Sequence, residues 1–192
     1  MLVLASASPR RRELLTQAGF TFTVHPAHIP EDPFPEEDPI AYVTRLALEK
    51  AQAVYGQLAD AGAQVLGADT TVIVDNHILG KPEDAADAAR MLRLLSGRAH
   101  RVATGIALVT AQGSEAAAEV TSVYFRPLSD EEIAGYAASN EPMDKAGAYA
   151  IQGWAARWIP RIEGCYFNVV GLPIARVAAL LDANRGASGA GS

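Results

Sequence analysis

The chain has 192 residues, 49% of them hydrophobic and 20% charged, and carries a net charge of −6. That length buries one full core, in two lobes at most, and the mix is globular rather than disordered. The acidic balance argues against a general nucleic-acid or membrane-surface binder, each of which needs a basic face, but leaves room for a small anion in a local basic pocket. A single cysteine, Cys165, excludes an internal disulfide and a multi-cysteine zinc site, and is read as packing. The first residues lack the charged region and apolar length of a secretory signal, and no segment approaches a membrane span, so a cytoplasmic protein is expected.

Leu2-Val3-Leu4-Ala5 reads as a short buried strand. A helix follows, with Ser8 as N-cap, Pro9 at its first position, Leu14, Leu15 and Ala18 on one face, and Gly19 closing it. Arg10, Arg11 and Arg12 then stand at the positive end of the helix dipole, where each costs up to about 1 kcal/mol and Glu13 offsets only part. Phe20 to Val24 reads as a second strand, and His25 to Pro39 as an acidic, Pro-rich loop long enough to suggest function or mobility. Asp38 caps and Pro39 opens a second helix, with Ile40, Val43, Leu46, Ala47, Ala51 and Val54 on one stripe. Val65 to Asp75 is a strand with polar residues in mid-run, HILGKP a turn, and Glu83 to Leu95 a helix ended by Ser96-Gly97.

Arg101–Thr110 and Ala118–Arg126 are β-rich and expected to pair antiparallel around Gln112-Gly113. Ser129 and Glu132 supply a capping box for a helix reaching about Ala138. Between Glu141 and Gly171 short strands are expected over Ala148–Gln152 and Arg157–Ile162, and Pro173 opens a last helix through Leu181. The closing RGASGAGS, residues 185–192, is low in complexity and expected to be disordered. Alternating strands and helices with an antiparallel insert give an α/β class with a mixed sheet.

The arginines admit two readings. One is a solvated helix end whose guanidiniums pair with acidic groups elsewhere. The other is an anion site, in which free N–H groups at the helix start, the Ser6 and Ser8 hydroxyls and arginine forks converge on one phosphate. A bound polyphosphate turns the dipole conflict into a benefit, which favours the second reading, although no Gly-rich phosphate loop sharpens it.

GADTT, Gly67 to Thr71, sets Asp69 inside an otherwise apolar strand. A buried carboxylate must be paired, metal-bound or catalytic, the plainer alternative being a cap on a neighbouring turn. Lys81 in GKP, just past the same hairpin, and Lys50, at the end of the second helix's stripe, tilt the balance. Carboxylate, lysines and arginines together suit phosphate-ester hydrolysis, in which cations neutralise the phosphates and an acid positions or deprotonates water. Glu31, Asp32, Glu36, Glu37 and Asp38 read mainly as a solvated charge run, with any one of them a metal ligand only as the minority reading. His25 and His28, on a loop beside Pro26, make a weak zinc pair. Trp154, Trp158 and Tyr166 read as core or dimer surface rather than a base-stacking platform. Asp144-Lys145 reads as a structural ion pair or one more phosphate contact.

LASASPRRRELL, GADTTVIVD, ILGKP, DKAGAYAIQG and NVVGLPI, in that order from Leu4 to about Leu181, resemble the Maf family of nucleoside triphosphate pyrophosphatases, first described as septum-formation inhibitors. The resemblance implies a fold related to the inosine triphosphate pyrophosphatases: an elongated mixed sheet flanked by helices, two lobes around a cleft, one domain over residues 1–184, and usually a homodimer. It implies hydrolysis of a nucleoside triphosphate to the monophosphate and pyrophosphate with a divalent cation, Mg or Mn. Residue by residue, Asp69 matches the proton acceptor and, with Glu31, the metal-binding position. Arg10, Thr70 and Gln152 match positions that bear on substrate choice, and Ser8, Arg11, Glu31, Lys50 and Lys81 match the polar cleft lining. The DKAGAY…IQG…NVVGLP form is similar to the branch acting on dTTP and UTP, whereas the 7-methyl-GTP branch carries a different segment there. The Gln152 amide is expected to match the edge of uracil or thymine, with Thr70 holding it in one orientation. A non-catalytic nucleotide-binding regulator of cell division is the competing class, one that has no reason to bury Asp69 beside phosphates.

Overall fold

Side-chain capping sets three of the helix starts in the computed structural model, which describes the backbone of residues 1–189 and side chains through residue 184. The expectation of a disordered tail over 185–192 lies outside the fully described residues. Helix α1 (Pro9–Gln17) starts behind Ser8, whose side chain makes no capping bond; its N–H instead donates to Ser6 Oγ at 3.2 Å. Helix α2 (Pro39–Tyr55) is capped by Asp38, whose Oδ1 accepts from the N–H groups of Ile40 and Ala41 at 2.9 and 3.0 Å. Helix α3 (Ala85–Leu95) starts on Asp84, and helix α4 (Asp130–Ala137) on the reciprocal Ser129–Glu132 box that its sequence announces.

The strands are β1 (Leu2–Leu4), β2 (Phe22–Val24), β3 (Gln64–Val74), β4 (His77–Leu79), β5 (Ala99–Thr110), β6 (Gly113–Tyr124) and β7 (Arg161–Glu163). They form one mixed sheet in the order β2-β1-β3-β5-β6-β7, with β4 paired to β3. Strand β1 runs parallel to both β2 and β3, and every other pairing is antiparallel. A short helix, α5 (Tyr166–Val170), and a long one, α6 (Ile174–Gly189), close the chain order.

The period of two along β3 separates its neighbours. Val65 and Ile73 point to the face covered by α2, where Val43, Leu46, Ala47, Ala51 and Val54 are buried. On the other face, Leu66 and Ala68 join a core with Leu14, Leu15, Leu172 and Val177, while Val72 and Val74 join a second core with Leu92, Tyr136 and Trp158. Thr70 lies between these two cores, directly opposite Thr104 of β5. The expected two lobes are these two cores on one continuous sheet.

Two glycines let α2 lie close against the sheet. A Cβ on Gly67 falls 2.0 Å from the Ala47 carbonyl oxygen, and one on Gly105 falls 2.1 Å from that of Val43. Any side chain at either position pushes the helix away.

Three expectations need correction. HILGKP is not the turn: His77–Leu79 pairs with Val72–Val74, and the reversal falls on Asp75-Asn76, at φ 48° and 62°. Two successive left-handed residues match the tight hairpin turn, and Asp and Asn tolerate them best after glycine. Ala148–Gln152 is not a strand, because Gly147 and Ala148 take φ 69° and 59° and break the extended run; 3-10 turns at Ala146–Ala148 and Trp154–Trp158 flank it. The strand expected over Arg157–Ile162 shifts to Arg161–Glu163, and α5, closed by Gly171 at φ 127°, has no counterpart in the sequence reading. Of the aromatics, Trp158 is core, whereas Trp154 and Tyr166 are exposed. Among the described residues no helix is long and apolar enough to cross a membrane.

Candidate active site

Strand β1 pairs only with Gln64–Leu66 of β3, and β4 takes up the same edge only from Val72. Residues 67–71 of β3 therefore have a strand partner on the β5 side alone, and a cleft of about 560 Å³ opens at the gap. This is why Asp69 and Thr70, on opposite faces of one strand, line the same cavity. The C-terminal end of β1 delivers the Ser6–Ser8 loop and the start of α1 to it, where ligands of parallel strands commonly bind.

The expected residues converge here. Ser8, Arg10 and Arg11 line the cleft from α1 and its loop, and Glu31 does so from the acidic loop. Lys50 enters from α2, Asp69 and Thr70 from β3, Lys81 from beyond β4, and Gln152 from the segment before Trp154. His25 stands apart, with its Nε2 2.9 Å from Gln57 Oε1.

Lys50 sits on the buried stripe of α2 and links two carboxylates: its Nζ lies 2.7 Å from Asp69 Oδ1 and 2.7 Å from Glu31 Oε1. Asp69 is only 8% exposed. Burial pushes its carboxyl above the ordinary carboxylate range, against the pull of Lys50 and Arg11, and Glu31 adds repulsion. Oδ1 is held by Lys50, whereas Oδ2 makes no hydrogen bond among the described residues and is left to accept from water. Asp69 is thus paired, and the turn-cap alternative falls.

The three arginines part ways. Arg11 is a joint in the cleft wall: Nε donates to the Gly171 carbonyl at 2.9 Å, Nη1 to Ser6 Oγ at 3.0 Å and the Ala68 carbonyl at 2.9 Å, and Nη2 to Thr70 Oγ1 at 2.9 Å. Most of its donors thereby serve the protein itself. Arg10 faces the cleft mouth, with Nη1 3.4 Å from Asp144 Oδ2. Arg12 is exposed and lies outside the lining. One arginine fork therefore remains free enough for an anion, beside Lys81 and Lys145. Lys145 also lines the cleft, ion-paired to Asp144 and donating to the Glu141 carbonyl at 2.9 Å.

Thr70 is engaged inward. It accepts from Arg11, lies 2.9 Å from Thr104 Oγ1 and reaches the Gly171 carbonyl at 3.4 Å. The expectation that it orients the Gln152 amide therefore fails. Gln152 is exposed, and its amide makes no hydrogen bond among the described residues. Thr104 passes the network on to the Asn168 carbonyl at 3.1 Å, and the buried Asn168 amide donates to the Val102 carbonyl and Thr121 Oγ1, each at 2.9 Å.

Sequence reasoning missed Tyr42 and Asn168. The signal for Tyr42 was available, since positions 42, 46 and 50 share one helix face and carry it onto the side of Lys50. For Asn168 the sequence offers only its place at the head of NVVGLPI, because nothing in its local chemistry distinguishes a buried asparagine from a surface one.

The profile of the family described as Maf-like protein matches residues 1–184. A dTTP/UTP pyrophosphatase from Koribacter versatilis (strain Ellin345) is 55% identical over 176 residues, 92% of this chain and 90% of the relative. One from Moorella thermoacetica (strain ATCC 39073 / JCM 9320) is 53% identical over 182 residues, 94% of this chain and 93% of the relative. A solved nucleoside-triphosphatase / dITP/XTP pyrophosphatase from Mycobacterium abscessus overlaps 66% of this chain and 74% of its own, at TM-score 0.41 and 17% identity, too partial a likeness to bear on function. With its full-length profile match and more than half its residues shared with such relatives, the chain belongs to the Maf family.

Proposed function

We propose that this chain is a nucleoside triphosphate pyrophosphatase that hydrolyses dTTP and UTP to the monophosphate and pyrophosphate. The observation that carries the reading is Asp69, buried at a gap in the sheet edge, with its pKa raised and one oxygen left for water, in a cleft whose mouth carries Arg10, Lys81 and Lys145. The names of the relatives at 53–55% identity support the choice of bases.

In this mechanism the triphosphate lies along the start of α1, and Arg10, Lys81 and Lys145 spread its charge. Asp69 Oδ2 takes a proton from water, the water oxygen bonds to the α-phosphorus, and the bridging oxygen to the β-phosphorus leaves with pyrophosphate. A carboxyl held above the ordinary carboxylate range is a stronger base than a free aspartate. Arg11 keeps Thr70, Ser6 and the Gly171 turn in register around the reacting group.

A divalent cation fits this site. Glu31 Oε1 and Asp69 Oδ1 already converge on one positive charge, Lys50 Nζ, each at 2.7 Å. The described residues hold no cluster of three or more His, Cys, Asp or Glu side chains for a metal, so Mg or Mn would take these two carboxylates and complete its shell with phosphate oxygens and water. Such an ion supplies Lewis-acid polarisation of the phosphate oxygens. We also read residues 1–184 as a single domain acting as a homodimer in the cytoplasm, with no nucleic-acid partner.

Replacing Arg10 by Ala is expected to weaken nucleotide binding and turnover while the melting temperature of the nucleotide-free protein stays level or rises slightly. The Asp144 contact it loses is an exposed pair worth at most about 1 kcal/mol, and repulsion from the α1 dipole is relieved. Calorimetry beside a turnover assay checks both halves.

Gln152 bears on the base. A free amide turns to match either uracil or cytosine, so discrimination must come from the surrounding wall as well as from Gln152. The Gln152→Ala variant is expected to lose UTP activity by about tenfold and thereby narrow the gap between UTP and CTP. Parallel kcat/KM values for the two nucleotides test this.

The reaction itself is tested by hydrolysis in 18O-water. Attack at the α-phosphorus puts the label in the monophosphate; label in pyrophosphate or orthophosphate would sink the proposed chemistry.

A further inference from the structure

The acidic loop that brings Glu31 to the cleft has little structure of its own. Between His25, whose N–H donates to the Leu4 carbonyl at 3.0 Å, and the cap of α2, it contains neither helix nor strand. Helix α2 holds it from outside. Arg45 grips the outer part, forking onto both Glu37 carboxylate oxygens at 2.6 and 2.7 Å, donating to the Asp32 carbonyl at 3.3 Å and lying 3.9 Å from the Phe34 ring centre. Among the described residues, Glu31 is held at two points. Its carboxylate meets Lys50, and its backbone carbonyl accepts from the Tyr42 hydroxyl at 2.8 Å.

These two ties differ in what they survive. Lys50 Nζ occupies the point on which Glu31 and Asp69 converge, so a divalent cation there and the Lys50 ion pairs exclude each other by charge and by space. The Tyr42 bond goes to the Glu31 backbone carbonyl rather than to its carboxylate, so losing the Lys50 ion pair does not itself remove it. Tyr42 is itself well anchored, 9% exposed on a helix seated against Gly67 and Gly105.

We propose that Tyr42 is a positioning residue: its hydroxyl fixes the Glu31 backbone so that the Glu31 and Asp69 carboxylates remain convergent once Lys50 has given way to a divalent cation. The proposal rests on the reading of the site as a metal-assisted pyrophosphatase.

The test compares Tyr42→Phe, which removes one oxygen and keeps the ring, with Arg45→Met. Titration with Mn²⁺ alone is measured on nucleotide-free protein, and kcat and the Mn²⁺ activation constant on the working enzyme. For Tyr42→Phe, Mn²⁺ is expected to bind about five- to tenfold more weakly, the size of one lost hydrogen bond. At saturating Mn²⁺, kcat should stay within about twofold of wild type, which a catalytic role for Tyr42 would not allow. Arg45→Met, which releases the Glu37 end of the loop, should leave Mn²⁺ binding within about twofold. Unchanged Mn²⁺ affinity in Tyr42→Phe, a collapse of kcat at saturating Mn²⁺, or equal weakening by Arg45→Met each overturn the proposal. Wild-type protein that releases no pyrophosphate fails the functional reading instead, and leaves the Mn²⁺ titration of the nucleotide-free protein to decide on Tyr42.

Discussion

Asp69→Asn is expected to lower turnover by about 10²-fold or more with nucleotide still bound, because the amide keeps the shape and hydrogen-bonding reach of the carboxylate but takes no proton. The variant should not melt earlier than wild type. The folded-state pKa of Asp69 lies above its unfolded value, so the folded protein binds more protons than the unfolded chain between the two values. The ionised side chain thus costs stability above the raised pKa, and that cost fades as pH falls through it. Neutral Asn removes the cost and leaves Lys50 its pairing with Glu31. Turnover, nucleotide binding and melting temperature measured together check the pattern. Lost turnover with lost stability would instead make Asp69 a structural ion-pair partner.

Gly105→Ala is expected to give the largest loss of stability, although alanine is an ordinary strand residue elsewhere. Its Cβ would lie 2.1 Å from the Val43 carbonyl oxygen, 2.4 Å from the Val43 carbonyl carbon and 2.7 Å from the Thr44 nitrogen. All three are helix backbone and cannot rotate away, so α2 must lift from the sheet, at about 3 kcal/mol or more. For a domain of this size that lowers the melting point by roughly 10 °C. Activity falls too, since α2 carries both Lys50 and Tyr42. Gly80→Ala is the control: nothing lies within 4 Å of its Cβ, and the expected change is under about 0.5 kcal/mol. Thermal melts of the two variants side by side decide the point.

Much of this was legible in the chain because it is local. Asp38-Pro39 and Ser129…Glu132 state their helix starts in a few residues, and the two capping geometries match the sequence. Asp69 stood out because a carboxylate in an apolar strand needs a reason. What was illegible depends on pairs of distant segments. Nothing around Gly67 or Gly105 says that a helix will lie on them, since that contact exists only once α2 crosses β3 and β5. Arg11 looks like its neighbours in sequence; only the fold gives it Gly171 and Thr70, at sequence separations of 160 and 59, as partners. The Ala148–Gln152 run has strand-forming residues, but Gly147 and Ala148 turn left-handed against the second core, a tertiary override of local preference.

The most direct measurement is pyrophosphate release from a panel of nucleoside triphosphates by the purified chain, with Mg²⁺ or Mn²⁺ supplied. Pyrophosphate and monophosphate should appear in equal amounts from dTTP and UTP at similar kcat/KM, with CTP, purine triphosphates and 7-methyl-GTP at least about tenfold poorer. Preference for a purine or for 7-methyl-GTP, or binding of dTTP without release of pyrophosphate, would contradict it.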